Sequence, residues 1–211
     1  LASYFFVLVI LAVYGWHRYY MVYLYMKHKH EVPVPRAHFD ELPVVTIQLP
    51  LYNEMYVVDR LVDAVCGIDY PREKLEIQVL DDSTDETCAI AENAVRRHAA
   101  AGIDIKCIHR TDRSGYKAGA LEAAMHVARG NFIAIFDADF IPEPDFLMAT
   151  VHHFTDPKVA MVQTRWGHLN EDYSLLTKIQ AILLDAHFVL EHGSRNRAGC
   201  FFNFNGTAGI W

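Results

Sequence analysis

A short apolar run that ends on two carboxylates constrains this chain more than any other feature. Residues 132–136 read FIAIF, Asp137 and Asp139 follow directly, and Pro142 stops the run. Five apolar residues are too few for a helix, so they predict a strand buried on both faces, as in a parallel sheet. Ligands of open α/β sheets bind beyond the carboxyl ends of the strands. Asp137 and Asp139 are therefore candidate metal ligands on one side of an extended backbone, and their hard oxygen atoms suit Mg²⁺ or Mn²⁺.

An Asp pair after a strand is also common in a solvated turn or at a helix N-cap, so the rest of the chain decides its interpretation. Strand and helix patterns alternate along the sequence, which predicts βαβ units and a doubly wound, mostly parallel α/β sheet flanked by helices. Ser83 and Glu86 form a capping-box pattern, which gives Asp82 and Ser83 an alternative structural role. The predicted strands are residues 44–49, 75–80, 105–109, 132–136 and 159–163, and the predicted helices are residues 57–66, 84–100, 118–128, 144–154 and 175–191, with a loop at 193–199.

The first 26 residues are almost wholly apolar and rich in aromatic side chains. Spanning a bilayer takes about 20 apolar residues, so we expect residues 1–26 to be a transmembrane or interfacial segment whose start is missing. Basic residues follow closely, and the positive-inside rule then predicts a cytoplasmic location for what comes after them. A signal peptide is the alternative, although no small-residue cleavage site follows the run. The predicted organisation continues with a linker at 27–43 and an α/β domain at 44–211.

Charge and cysteine usage argue against several classes of protein. The net charge is −7 over 211 residues and no long basic run occurs, which argues against nucleic-acid binding. The four cysteines are widely spaced without a C-x-x-C pattern, so their spacing signals neither a zinc site nor a disulfide framework. An acidic chain of this kind needs local cations or a bound metal to hold a ligand that carries phosphate groups.

Four predicted strand ends deliver polar residues to one rim of the sheet. A tyrosine able to stack on a base, carboxylates for a ribose or base, a lysine for phosphates and an Asp pair for a metal together describe a nucleotide-diphosphate site. Tyr52, Lys117 and Gly119 could each be structural if taken alone, and only their joint occurrence in topological order favours the site. The segments are Pro50-Leu51-Tyr52-Asn53-Glu54, Asp81-Asp82-Ser83, Ser114-Gly115-Tyr116-Lys117-Ala118-Gly119 and Asp137-Ala138-Asp139.

The order of these motifs resembles that of the inverting family 2 glycosyltransferases of Rossmann-like GT-A fold. Within that family it is most similar to the membrane-bound, cellulose-synthase-like and glucomannan-mannosyltransferase-like branch. The resemblance implies inverting sugar transfer from UDP-glucose or GDP-mannose to a growing β-linked polysaccharide. It also implies a bacterial inner membrane or a Golgi-type membrane, with the catalytic domain in the cytoplasm. The motifs, between residues 44 and 211, are P-x-Y-N-E, D-D-S-T-D, G-Y-K-A-G-A-L, F-D-A-D-F, V-Q-T and F-N-G-T-A-G.

The resemblance also implies roles for single residues. Asp137 and Asp139 would be the catalytic carboxylates that hold Mn²⁺ or Mg²⁺, with Asp139 the direct ligand. Lys117 would lie against the diphosphate, and Asp81 and Asp82 against the nucleoside. The other implied contacts to the nucleotide-sugar are Pro50, Tyr52, Asn53, Glu54, Gly119 and Asp137, and the implied acceptor-side residues are Asn205, Gly206, Thr207 and Gly209.

Two family elements are expected beyond Trp211, namely the general base and a Q-x-x-R-W motif. We therefore expect the C-terminal part of the catalytic domain to be missing, and this chain to bind the donor without turnover. The run Gln163-Thr164-Arg165-Trp166 has only one residue between Gln and Arg and does not match the motif. Glu171 and Asp172 precede a predicted helix and are expected to cap it rather than to act as the base.

Three alternatives stay open beside polymer synthesis. A non-processive relative would pass one sugar to a lipid acceptor. A phosphatase of the haloacid-dehalogenase type would use the first Asp of the pair as a nucleophile, but here three βαβ units precede the pair, which disfavours that class. A membrane-tethered scaffold that binds a nucleotide-sugar without catalysis would share the same donor motifs.

Overall fold

The structure is a computed structural model that describes all 211 residues, which divide into two compact units. One unit comprises Pro35–Thr164 and Phe204–Trp211 and contains every strand. The other comprises Leu1–Val34 and Arg165–Asn203 and is helical.

Six strands form a single sheet whose order brings ligand-binding loops to one edge. The strands are β1 (Val45–Leu51), β2 (Leu75–Asp81), β3 (Ile105–His109), β4 (Phe132–Ile135), β5 (Val162–Gln163) and β6 (Gly209–Ile210). Their order is β3-β2-β1-β4-β6-β5; β1 to β4 pair in parallel, and β6 is antiparallel to both β4 and β5. The predicted mostly parallel α/β sheet is thus confirmed. The chain order reverses between β1 and β4, which is the switch point where such sheets bind ligands.

The antiparallel strand β6 was absent from the sequence prediction, and β5 is shorter than predicted. The predicted strand at 159–163 pairs only through Val162–Gln163. β6 spans two residues of a glycine-bearing segment, too few to show an alternating pattern. Its position between β4 and β5 places the segment before it next to the end of β4.

Seven α-helices accompany the strands. The boundaries of those in the sheet unit follow the predicted alternation, with α5 continuing as a 3₁₀ turn at Val151–Thr155. In the helical unit, α6, a π-helical segment at Ala186–His192 and α7 follow one another without a break. The helices are α1 (Ala2–His28), α2 (Val58–Cys66), α3 (Thr87–Ala100), α4 (Tyr116–Met125), α5 (Phe146–Thr150), α6 (Leu175–Asp185) and α7 (Gly193–Arg197).

The predicted capping box at Ser83 is wrong. Helix α3 begins only at Thr87, and the backbone N–H of Thr87 donates to Oδ1 of Asp85 at 2.9 Å. The hydroxyl of Ser83 instead accepts the backbone N–H of Asn53 at 2.9 Å. Ser83 therefore joins two loops of the sheet edge, a long-range role that a local capping pattern cannot reveal.

Two further local predictions in the helical unit are wrong. Glu171 and Asp172 lie in a 3₁₀ turn and do not cap α6; Ser174 caps it through a capping box with Thr177. The loop predicted at 193–199 is helical as far as Arg197, because Gly193 adopts ordinary right-handed helical angles.

Helix α1 is the one helix in the structure that is long and apolar enough to cross a membrane, judged by length and composition. It has 27 residues, and only Met21 and Leu24 are buried within the chain. A signal sequence near an N-terminus would have the same properties.

A buried carboxylate joins the amino ends of the central strands. The side chain of Glu76 is fully buried and accepts hydrogen bonds from Thr46 Oγ1 at 2.6 Å, Lys106 Nζ at 2.7 Å and the Arg129 N–H at 2.7 Å. Burial raises the pKa of Glu76, but these donors outweigh that effect and lower the pKa to about 2. Glu76 is therefore ionised in the folded protein at neutral pH and links segments from β1, β3 and the approach to β4.

Replacing this carboxylate should make the protein less stable and less sensitive to acid. The pKa of Glu76 in the folded state lies below its ordinary value of 4.5, so the stabilisation is present above about pH 4.5 and is lost as the pH falls towards 2. We expect Glu76→Gln to lower the free energy of unfolding by about 3 kcal/mol at pH 7, with a smaller difference from wild type at pH 3. Chemical denaturation followed by circular dichroism at several pH values measures both. Glu73→Gln, at an exposed glutamate, is the control. If both variants and wild type lost stability equally as the pH falls, the role assigned to the Glu76 carboxylate would be contradicted.

Candidate functional site

An open cavity of about 290 Å³ lies at the carboxyl ends of β1 and β4. It is lined by the end of β1 and the loop after it, the residue after β2, the loop before α4 with the first turns of that helix, and the loop after β4. Seven of the predicted site residues line it, together with Leu51, Arg113, Ala120 and Ala138. The seven are Pro50, Tyr52, Glu54, Asp82, Lys117, Asp137 and Asp139.

A larger cavity, of about 390 Å³, lies at the opposite edge of the sheet, beside Leu75 at the amino end of β2. Its lining includes Cys66, and burial raises the pKa of that thiol to about 12, so it is protonated and unreactive at neutral pH. Its charged lining residues are Asp69 and Arg72, and no pair of carboxylates lies in its lining. The smaller cavity is therefore the better candidate despite its size.

Two of the carboxylates in the candidate site are neutralised by cations. Arg110 binds Asp82 through two donors, with Nε 2.8 Å from Oδ1 and Nη2 2.5 Å from Oδ2. Lys117 Nζ forms an ion pair with Oδ1 of Asp137 and also donates to the carbonyl oxygen of Gly206 at 2.7 Å. The bidentate geometry holds Asp82 firmly, whereas Lys117 is about two-fifths exposed and can exchange its partner for a ligand.

Two other carboxylates in the cavity have no protein partner. Glu54 and Asp139 are exposed, and neither side chain forms a hydrogen bond or an ion pair. Asp139 lies two residues from Asp137, so the cavity offers a free carboxylate beside one whose second oxygen atom, Oδ2, is also free. Such an all-oxygen donor set fits Mg²⁺ or Mn²⁺, which bind through one or two carboxylates and share the rest of their shell with phosphate groups.

The segment before β6 holds Asp137 in place. Thr207 Oγ1 accepts the backbone N–H of Asp137 at 2.8 Å, and the backbone N–H of Ala208 donates to the carbonyl of Ile135 at 2.7 Å. Gly206, with φ of +89°, turns the chain so that its carbonyl faces Lys117. Of the predicted acceptor-side residues, the structure thus brings Thr207 against Asp137 and Gly206 against Lys117.

Gln163 supports that segment, a role that sequence reasoning missed. Its amide nitrogen Nε2 donates to the carbonyl of Thr207 at 2.9 Å, and its Oε1 accepts the backbone N–H of Asn205 at 3.0 Å. The side chain of Phe204 lies where a Cβ on Gly209 would be, so Gly209 makes room for that ring. The V-Q-T motif was the only signal for Gln163, and its partners are more than forty residues away in the chain.

Asn53 and Asp81, both predicted to contact the nucleotide-sugar, do not line the cavity. Asn53 has φ of +56°, which asparagine tolerates, and its Oδ1 accepts the backbone N–H of Thr84 at 2.9 Å. Asp81 is buried and accepts the N–H of Ser83 at 3.0 Å, and its Oδ2 is 2.8 Å from Nδ1 of His109. Burial raises the pKa of Asp81, but hydrogen bonds from Ser83 and His109 outweigh it, so the net pKa is lowered.

Gly119 also lies behind the cavity rather than in its lining. A Cβ at this position would overlap the carbonyl oxygen of Ser114. Gly115, with φ of +72°, turns the chain at the start of α4 and produces this close approach. Gly119 is therefore required for the close turn at the start of α4, where Lys117 lies two residues earlier in the same helix.

Arg113 lines the cavity and was missed by sequence reasoning. Its guanidinium carbon is 3.2 Å from the centre of the Tyr52 ring and 5.1 Å from that of Tyr116, and it has no carboxylate partner. Its buried Nε atom has no acceptor. Arg113 thus covers one face of the Tyr52 ring, on which the sequence suggested that a nucleotide base would stack. Arg113 and Lys117 are the two cationic side chains that line the cavity. The signal for it was a basic residue just ahead of the G-Y-K motif.

Comparison with known proteins agrees with this geometry. The family model described as "Glycosyl transferase family 2" matches residues 46–204. Glucomannan 4-beta-mannosyltransferase 9 of Arabidopsis thaliana is 46% identical over 174 residues, which are 80% of this chain and 33% of the relative. Probable glucomannan 4-beta-mannosyltransferase 2 of Oryza sativa subsp. japonica is 44% identical over 186 residues, which are 86% of this chain and 32% of the relative. The chain therefore spans about a third of the length of these relatives.

A solved structure shares both sequence and fold with the chain. The mannosyltransferase PcManGT from Pyrobaculum calidifontis, determined in complex with GDP-Man and Mn²⁺, has a TM-score of 0.60 and 31% sequence identity. The match covers 77% of this chain and 48% of that protein.

Proposed function

The chain belongs to glycosyl transferase family 2, and we propose that the cavity binds a nucleotide-diphosphate sugar together with a divalent cation. The observation that carries this proposal is the position of Asp137 and Asp139. They follow β4 at the switch point of the sheet, in one cavity with Lys117 and Arg113. The unpaired carboxylate of Asp139, beside Asp137 and in one cavity with Lys117 and Arg113, suits a ligand that brings both phosphate groups and a metal.

We propose GDP-mannose as the donor, with UDP-glucose as the competing candidate. Two observations support GDP-mannose: the curated relatives are named as mannosyltransferases, and the structure of the Pyrobaculum protein contains GDP-Man and Mn²⁺. In this proposal the loop of Asp82 faces the nucleoside, and so does Tyr52 through the ring face that Arg113 does not cover. Asn53, Asp81 and Gly119 act from behind the cavity by shaping the loops that line it.

The reaction we propose is direct displacement at the anomeric carbon with inversion. An acceptor hydroxyl attacks as the nucleoside diphosphate leaves, and a bound divalent cation would supply Lewis-acid stabilisation of the charge on the departing phosphates. Asp137 and Asp139 would hold that cation. Lys117 and Arg113 contribute fixed positive charge to the same phosphates. Lys117 also donates to the Gly206 carbonyl and so joins the donor site to the acceptor-side segment.

The acceptor hydroxyl must lose its proton to a base within hydrogen-bond reach. We propose that this base lies outside residues 1–211, as the family resemblance implies. Support comes from the length of the relatives, of which this chain spans about a third. Efficient sugar transfer by residues 1–211 alone would contradict this assignment.

We propose a growing β-linked polysaccharide as the acceptor, with a lipid as the alternative. The curated relatives are named as glucomannan 4-beta-mannosyltransferases, which supports the polymer. The segment from Asn205 to Gly209 would meet the acceptor, because Thr207 contacts Asp137 and the Gly206 carbonyl accepts a hydrogen bond from Lys117.

We also propose that residues 1–26 anchor the protein in a bacterial inner membrane or a Golgi-type membrane. Residues 27–43 would be the linker and residues 44–211 the catalytic domain on the cytoplasmic side. The length and apolar surface of α1 support this, as do the basic residues in its C-terminal half and just after it. Those residues are Arg18, Lys27, Lys29 and Arg36.

Calorimetric titration of the chain with GDP and with UDP, each with and without Mn²⁺, tests the donor site. We expect GDP to bind only when the ion is present, and Asp139→Ala to weaken binding at least roughly ten-fold, because the free carboxylate is lost. Asp145→Ala, at an exposed carboxylate outside the cavity, is the control and should behave as wild type. A folded sample that binds neither nucleotide, or an Asp139→Ala variant with undiminished Mn²⁺ dependence, would overturn the proposal.

Two arginines in the middle of α1 should abolish membrane anchoring. Each costs about 3 kcal/mol at the centre of a spanning helix, so Leu8→Arg with Leu11→Arg should shift the protein out of the membrane fraction of cells that express it. Val32→Arg, at an exposed position after the helix, is the control and should remain with the membrane. Loss of the first residues from the mature protein, measured by mass spectrometry, would instead indicate a signal peptide and contradict the anchor.

A further inference from the structure

We propose that Asp81, Cys88 and His109 form a second metal site, which binds a thiophilic divalent cation such as Zn²⁺. One carboxylate oxygen, the Cys88 sulfur and one ring nitrogen of His109 all lie within 4.8 Å of one another. The three side chains offer three kinds of donor atom, the combination that zinc sites in proteins use. The site does not depend on the proposed donor site, because none of its three residues lines the donor cavity.

The fold brings these residues together from three separate elements. Asp81 is the last residue of β2 and His109 the last of β3, and the two are partners in the parallel register. Cys88 lies in the first turn of α3, which starts six residues after β2 ends. Asp81 Oδ2 and His109 Nδ1 are already 2.8 Å apart, and the Cys88 thiol donates to the carbonyl of Ser83 at 3.1 Å.

Only small movements would convert this cluster into a coordination shell. Zn²⁺ binds oxygen and nitrogen at about 2.0 Å and thiolate sulfur at about 2.3 Å, so tetrahedral geometry places the ligand atoms about 3.3 to 3.6 Å apart. The present separations require shifts on the order of 1 Å. Cys88 is half-buried and the His109 side chain is 43% exposed, so an ion can reach the site from solvent and retain one water molecule.

The ligand types make this site selective for a different ion from the Asp137 and Asp139 pair. Thiolate and imidazole ligands favour Zn²⁺, whereas an all-oxygen site favours Mg²⁺ or Mn²⁺. Binding would replace the direct contact between His109 and Asp81 and tie α3 to the ends of β2 and β3. Because Asp82, the next residue along the chain, lines the donor cavity, the ion would stiffen one wall of that cavity.

The thiol proton is the main cost of binding. Burial, a hydrogen bond with Asp81 and the negative charge of Asp81 raise the pKa of Cys88 to about 11, so the free thiol is protonated at neutral pH. An ion that binds must displace this proton into solvent, so its affinity rises with pH. The ion also relieves the repulsion between the thiolate and the Asp81 carboxylate.

Titration of the whole chain with Co²⁺, without any nucleotide, tests the site. Cobalt bound to a thiolate gives a charge-transfer absorption band in the near ultraviolet, and added Zn²⁺ should abolish that band. We expect the band in wild type and its loss in Cys88→Ser. His109→Gln should weaken cobalt binding at least roughly ten-fold. Cys107→Ser, at a different cysteine, which lies in β3, and Asp139→Ala, in the donor cavity, should keep the band, which separates this site from the donor site.

Three results would overturn the proposal. The first is the absence of any band in a folded wild-type sample. The second is a band that survives in Cys88→Ser but is lost in Cys107→Ser. The third is a band of unchanged affinity in His109→Gln, which would leave the thiol as a lone ligand. Circular dichroism of each variant distinguishes loss of the ligand from loss of the fold.

Discussion

The parallel pairing of β1 with both β2 and β4 is the constraint on which the candidate site depends. This pairing brings the carboxyl ends of the three strands to one edge, where the loop of Tyr52, the Asp82 carboxylate and the Asp pair meet. The antiparallel strand β6 then lies beside β4 and contributes the hydroxyl of Thr207, which accepts the N–H of Asp137. At the opposite, amino edge, the buried Glu76 joins segments from β1, β3 and the approach to β4.

Some charged side chains at the carboxyl edge have strong protein partners and others do not. This difference separates the groups that shape the loops from those that are available to a ligand. Asp82 is held by two donors of Arg110, and Asp81 is buried among hydrogen-bond donors, so both shape the loops. Asp139 has no protein partner, and Lys117 shares the carboxylate of Asp137. An exposed charge that has no protein partner lowers the stability of the free protein. A bound ligand of opposite charge compensates for that loss. The unpaired carboxylate of Asp139 thus lies in one cavity with Lys117 and Arg113.

Much of the fold and part of the site could be predicted from the sequence, because their signals are local. The apolar run before Asp137 and the strand-helix alternation predicted β1 to β4 and the rim that carries Tyr52, Lys117 and the Asp pair. What the sequence could not show arises from pairings between distant segments. β6 is two residues long, Gln163 acts on residues more than forty positions away, and Arg113 acts through its stacking on Tyr52. The cluster of Asp81, Cys88 and His109 likewise has no motif spacing.

The product made by the complete protein is the most direct test of the account. Membranes that contain the full-length protein are supplied with labelled GDP-mannose and Mn²⁺, and the products are separated by size and digested with an endo-β-mannanase. The account predicts a long polymer that the enzyme degrades, its absence for Asp139→Ala, and its persistence for Asp145→Ala. A single mannosylated lipid, a product formed only from UDP-glucose, or undiminished synthesis by Asp139→Ala would contradict the account.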